Sequence, residues 1–142
     1  MITRRRFSKI GALTSIGLAT GISAKVVANS VKKESTNDKI GVGLIGCRSM
    51  GWVNLKDFIG NPDVECIALC DVDHAVLDER VKDVFEKTGK KPLVFNDYRK
   101  LLDLKEVDVV IIATPDHWHC LPFVDACKAG KDIYVEKPLA NS

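Results

Sequence analysis

No stretch of this 142-residue chain is apolar for long enough to cross a bilayer. The longest uncharged run, Ile10 to Ala24, is short and is diluted by Gly11, Thr14, Ser15, Gly17, Thr20, Gly21 and Ser23. The cysteines, Cys47, Cys66, Cys70, Cys120 and Cys127, form no metal-type pairs, and their odd count argues against a disulfide framework. Cys66 and Cys70 fall on one predicted strand, where they pack as small apolar residues, so no structural disulfide is expected. Repeats, low-complexity segments and hairpin signals are all missing.

A basic surface for nucleic acid is missing as well, although the whole chain carries a net charge of +2. Arg4, Arg5, Arg6, Lys9 and Lys25 stand in residues 1–28 without an acid. Setting these five aside from the 21 basic residues leaves 16 against 19 acidic ones, a net of −3. The basic head, short apolar middle and small-residue exit Val26-Val27-Ala28 describe an export signal. Thr3-Arg4-Arg5-Arg6-Phe7-Ser8-Lys9 resembles the twin-arginine type, which implies an exported, periplasmic protein with no stable membrane anchor once the signal is removed. The polar, unpatterned residues 29–38 read as a linker.

From Lys39 onward apolar runs alternate with helical periodicity. Ile40 to Ile45, Val64 to Cys70, Leu93 to Phe95, Val107 to Ala113 and Ile133 to Val135 are predicted strands. Between them lie a helix from about Met50 to Ile59, the stripe Leu77, Val81, Val84 and Phe85 ending at Gly89, a short piece Tyr98 to Leu104, and Phe123 to Ala129 ending at Gly130. This alternation predicts an α/β fold, a doubly wound parallel sheet with its ligand at the switch point. The pattern ends shortly after the fifth strand, so an incomplete dinucleotide fold is expected over residues 39–142.

Two glycine frames compete. Gly41-Val42-Gly43-Leu44-Ile45-Gly46 lies inside the strand, whereas Gly46-Cys47-Arg48-Ser49-Met50-Gly51 opens the first helix and is the functional frame. Gly46 suits the tight turn and Gly51 the close packing of helix on strand, while Arg48 takes the place of the middle glycine, where it obstructs a pyrophosphate or pairs with it. The helix N-terminus adds N–H donors and a favourable dipole. Asp71 stands 20 positions after Gly51, the spacing of a ribose-binding carboxylate. Asp73 adds negative charge or caps the next helix, and no arginine is close in sequence, so NAD is expected over NADP. After the fourth strand, Thr114, Pro115, Asp116 and His119 are placed to line the cofactor pocket. The Asp-His-x-His cluster lacks a third or fourth ligand at a credible spacing, so no metal is expected. Glu136-Lys137-Pro138 closes the fifth strand, where Lys137 can reach a substrate hydroxyl.

Taken together, LIGCRSMG, ALCDVD, VDVVIIATPDHWH and AGKDIYVEKP resemble the N-terminal domain of the Gfo/Idh/MocA oxidoreductase family over about residues 39–142. The resemblance implies an NAD-binding Rossmann domain followed by an α/β domain that binds sugar-like substrates and makes a homo-oligomer. It implies that Lys137 is catalytic at the substrate hydroxyl, and that Asp116 and His119 lie near the nicotinamide. The cofactor set is then Gly46, Cys47, Arg48, Met50, Gly51, Asp71, Thr114, Pro115, Asp116, His119 and Glu136. The expected activity is NAD-dependent oxidation of a sugar or polyol hydroxyl. Two alternatives stand beside it: an NAD-dependent glycoside hydrolase that works by transient oxidation, and a dinucleotide-binding fragment without catalysis.

Overall fold

A computed structural model describes residues 39–139. The expected export signal at 1–28 and the linker at 29–38 lie outside the described residues, as do residues 140–142. The described elements are β1 (Ile40–Ile45), α1 (Ser49–Phe58), β2 (Val64–Cys70), α2 (His74–Thr88), β3 (Leu93–Phe95), α3 (Tyr98–Leu102), β4 (Val109–Ile112), a 3₁₀ turn (Asp116–Trp118), α4 (Cys120–Lys128) and β5 (Asp132–Val135). The strands form one five-stranded sheet in the order β3-β2-β1-β4-β5, and every ladder is parallel. The chain runs outward from β1 to β3, then crosses back to place β4 on the other side of β1. The switch point therefore lies between the C-terminal ends of β1 and β4, where such sheets bind their ligands.

Helices cover both faces. On one face Val42, Leu44, Cys66, Leu69 and Ile111 of the strands pack with Leu55 of α1 and with Val76, Leu77 and Val84 of α2. On the other, Ile45, Ala68, Cys70, Val110 and Ile112 pack with Leu101 and Leu102 of α3 and Ala126 of α4. Neighbours such as Val110, Ile111 and Ile112 alternate between the two cores, which is why the strands read as continuous apolar runs. Burying a leucine or valine in this way contributes roughly 1.5–3 kcal/mol relative to leaving it exposed.

Several boundaries shift by one to three residues from the expectation, and two of the shifts have a local context. The β4 ladder covers Val109–Ile112 rather than Val107 to Ala113; just before it, the Asp108 carboxylate, instead of a strand carbonyl, accepts from the Gly41 N–H at 2.8 Å. Helix α4 starts at Cys120, ahead of the apolar stretch from Phe123, with Pro122 in its first turn, where an N–H has no intrahelical partner to lose. The left-handed ends expected at Gly89 (φ 73°) and Gly130 (φ 70°) are present. All five cysteines are unpaired; Cys47, Cys66 and Cys70 are buried, and Cys120 and Cys127 are exposed.

Candidate functional site

A cavity of about 560 Å³ opens at the switch point. Its floor is the turn after β1, at Ile45 and Gly46. One wall is the end of β2 with Asp71 and Val72, another the segment Asn96–Arg99 after β3, and a third runs from Thr114 and Pro115 through His117 and Trp118 to Leu121 and Pro122. Of the cofactor residues expected from sequence, Gly46, Asp71, Thr114 and Pro115 line it; Cys47, Arg48, Met50, Gly51, Asp116, His119 and Glu136 do not.

The turn is built by what cannot be larger. A Cβ on Gly46, whose φ is 90°, would lie 2.6 Å from the carbonyl carbon and oxygen of Ala113. A Cβ on Gly51 would lie 1.9 Å from the Gly46 carbonyl oxygen, so α1 rests directly on the turn. Cys47 contributes backbone alone: its side chain is fully buried, and its N–H donates to Asp71 Oδ2 at 2.8 Å. Burial, with the nearby Asp71 charge adding, holds the Cys47 thiol protonated far above the usual thiol range. Cys70, in the cavity wall, is pushed up to about 12, mainly by burial, and is likewise a neutral thiol. Met50 is half exposed and is not among the residues that line the cavity.

Arg48 has an extended backbone (φ −86°, ψ 167°) that has no need of glycine, and its guanidinium is paired with Asp73. The non-glycine residue with a positive φ in this turn is Ser49, at 34°. That conformation costs an L-residue roughly 1–2 kcal/mol, part of which glycine's extra unfolded-state entropy takes back. Ser49→Gly is therefore expected to stabilise the domain by about 0.5–1 kcal/mol, read as a higher midpoint of chemical unfolding. A lower midpoint would show that the Ser49 side chain contributes more than its backbone costs.

The Asp71 carboxylate accepts from Cys47 N–H through Oδ2 and from Asp73 N–H at 3.0 Å through Oδ1. Each oxygen keeps a lone pair for another donor. Asn96, unnoticed in the sequence, donates its amide to the Asp71 carbonyl at 2.9 Å and ties the β2 and β3 ends together. Val72 is 85% exposed beside this carboxylate, an apolar surface with no protein cover among the described residues. Tyr98 lines the opposite wall and donates to Asp125 Oδ2 at 2.8 Å; burial and that bond raise its phenol to about 12.

His119 lies off the cavity wall. It is buried at 1% exposure, with Nε2 2.6 Å from the Thr114 carbonyl oxygen and Nδ1 2.7 Å from that of Pro138. The ring thus ties the loop after β4 to the loop after β5, and His117 and Trp118 take the cavity wall instead. Asp116 is exposed on the 3₁₀ turn, outside the wall. Glu136 turns to α1, accepting from the buried Asn54 amide at 2.7 Å. Lys137, between these two anchors, is exposed, precedes a cis peptide to Pro138, and has no carboxylate partner among the described residues.

These features suit a dinucleotide. Only glycine at position 46 permits the turn to lie against β4, the first turn of α1 has no side-chain cap, Asp71 has spare acceptors, and Thr114 Oγ1 is buried in the cavity wall without a partner. The arrangement defines a dinucleotide-binding βαβ module. The family model for the NAD-binding Rossmann fold of the Gfo/Idh/MocA oxidoreductases matches residues 40–142, and the chain belongs to that family.

Among known proteins the chain is 34% identical to an alpha-N-acetylgalactosaminidase of Shewanella oneidensis and 33% identical to a glycosyl hydrolase family 109 protein of Shewanella putrefaciens. Each match covers 98% of this chain and 34% of the relative. The chain thus spans about a third of the length of these relatives. The solved myo-inositol dehydrogenase of Lactobacillus casei, in complex with NAD(H) and myo-inositol, superposes with a TM-score of 0.65 at 27% identity, over 72% of this chain and 29% of that one.

Proposed function

We propose that this chain is the cofactor domain of an exported NAD-dependent enzyme that oxidises a sugar or polyol hydroxyl. The observation that carries the reading is the Asp71 carboxylate bonded to the N–H that follows Gly46, which joins a ribose acceptor to the phosphate turn in one unit. Bound NAD supplies the hydride acceptor. Asp71 would hold the adenosine ribose, the N–H groups at the start of α1 the pyrophosphate, and Thr114 Oγ1 a polar atom of the cofactor at the β4 end. Lys137 would hold the substrate hydroxyl and move its proton as hydride leaves the carbinol carbon. Asn54 through Glu136, and His119 through the Pro138 carbonyl, fix the loop that carries Lys137. Export rests on the twin-arginine-like segment at residues 3–9, followed by the apolar stretch to Ala24.

A second reading has its own support: the Shewanella relatives, at 33–34% identity, are named as glycoside hydrolases. In that chemistry oxidation is transient and NAD is restored within each turnover. Incubating the full-length protein with a single sugar, with and without its glycoside, separates the two. Accumulating NADH marks a net dehydrogenase, and release of free sugar without net NADH marks the glycosidase. Neither product across a panel of polyols and glycosides would count against both.

A further inference from the structure

All three arginines of the described residues, Arg48, Arg80 and Arg99, are held by carboxylates at this end of the sheet. Arg80 pairs with Asp83 and Glu79, donates to the Cys47 carbonyl and lies over the Trp52 ring. Arg99 grips Asp97 with two bonds of 2.9 Å. Arg48, in the turn after β1, pairs across the crevice rim with Asp73, two residues beyond the ribose acceptor Asp71. The cavity lining contains no lysine. A phosphate at the ribose 2′-position would therefore meet the Asp71 charge and find each nearby guanidinium already engaged.

We propose that Asp73 is a selectivity residue for the cofactor, and that it acts by holding Arg48 away from the 2′-position. Asp71 disfavours a 2′-phosphate directly, through like charge. Asp73 does so by occupying the cation that could otherwise compensate, since a guanidinium binds a phosphate through paired, charge-assisted hydrogen bonds. The Arg48 and Asp73 side chains are 65% and 37% exposed, so removing the Asp73 carboxylate frees a solvated guanidinium without leaving a buried charge unpaired. The Val76 and Ala75 N–H groups, and then the Arg48 guanidinium, draw the Asp73 carboxyl below the usual range. The proposal rests on the cofactor reading above and adds to it which residue excludes NADP.

Asp73 also caps α2, accepting from Ala75 N–H at 2.9 Å and Val76 N–H at 3.4 Å. Asp73→Asn keeps an N-capping oxygen and removes the charge, and Asp73→Ser, an equally good cap, is the second variant should the first fail to fold. The experiment is a calorimetric titration of the full-length protein with NAD and with NADP, in four forms: wild type, Asp73→Asn, Arg48→Gln and the double variant. The NADP-to-NAD affinity ratio is expected to rise about tenfold in Asp73→Asn, the scale of one charge-assisted contact, and to stay within about twofold of Arg48→Gln in the double variant. An unchanged ratio in Asp73→Asn overturns the proposal. So does a double variant that keeps the full rise, because lost repulsion alone would then explain it. Wild-type protein that binds neither dinucleotide would remove the cofactor reading, and this inference with it.

Discussion

Replacing Gly51 by alanine is expected to destabilise the domain by about 3 kcal/mol, near the upper end of what overpacking costs. In an unencumbered helix the same change stabilises by about 1 kcal/mol, since alanine is the better helix former. The packing reverses the sign. The added Cβ would lie 1.9 Å from the Gly46 carbonyl oxygen and 3.1 Å from the Ala113 Cβ. The first of these is backbone, which cannot swing aside as a flexible side chain would, so α1 must back away from β1 and β4. Gly89→Ala is the useful contrast: nothing lies within 4 Å of its Cβ position, and the cost there is the left-handed φ of 73° alone, about 1–2 kcal/mol. Chemical unfolding midpoints should fall for both variants, and distinctly further for Gly51→Ala. Equal falls would show that α1 yields easily and that the turn is not tightly packed.

Gly46 and Gly51 were legible in the sequence because their requirement is local: a strand, a tight turn and a helix within a dozen residues impose it. The same holds for β1 and β2, whose limits follow from apolar runs, and for α2, whose stripe runs to a glycine stop. Reading the strand glycines as no part of the phosphate frame left their purpose open, and the structure supplies one. A Cβ on Gly41 would lie 1.8 Å from the Glu106 carbonyl oxygen, and one on Gly43 would lie 2.7 Å from Leu101 Cδ2. Both partners are some sixty residues away along the chain.

The cavity wall was hidden for that same reason. Val72, Asn96, Tyr98, Trp118 and Leu121 come from the three segments that follow β2, β3 and β4, which the strand order brings together, and nothing in local composition marks them as neighbours. Arg48 and Asp73 are 25 positions apart, so a scan for an arginine close to the acid in sequence missed one that touches it in space. His119 is a case of the opposite kind. Histidine beside a crevice suggests a ligand contact, but its position at the start of α4 turns the ring inward, onto two carbonyl oxygens that no sequence pattern reveals.

Asp71→Ala is expected to weaken NAD binding by about 100-fold, the consequence of losing two hydrogen bonds to a charged acceptor at roughly 1.5–3 kcal/mol each, discounted for water that replaces them. The carboxylate also organises the turn, so the same substitution strands the Cys47 and Asp73 N–H groups that it now serves at 2.8 and 3.0 Å. Leaving these partly buried donors without an acceptor costs about 1–3 kcal/mol of stability. The two effects separate experimentally, since unfolding without cofactor reads the second and titration of the folded variant reads the first. Asn is no gentle substitute here: its oxygen can serve one backbone N–H, but its NH₂ then faces the other, donor against donor. Asp71→Asn should therefore lose stability as Asp71→Ala does, and bind NAD little better. An Asp71→Ala variant that folds and binds NAD as tightly as wild type would leave the carboxylate with a purely structural duty. The ribose would then have to be held elsewhere in the cavity wall, where Asn96 and Asp97 supply the other acceptors.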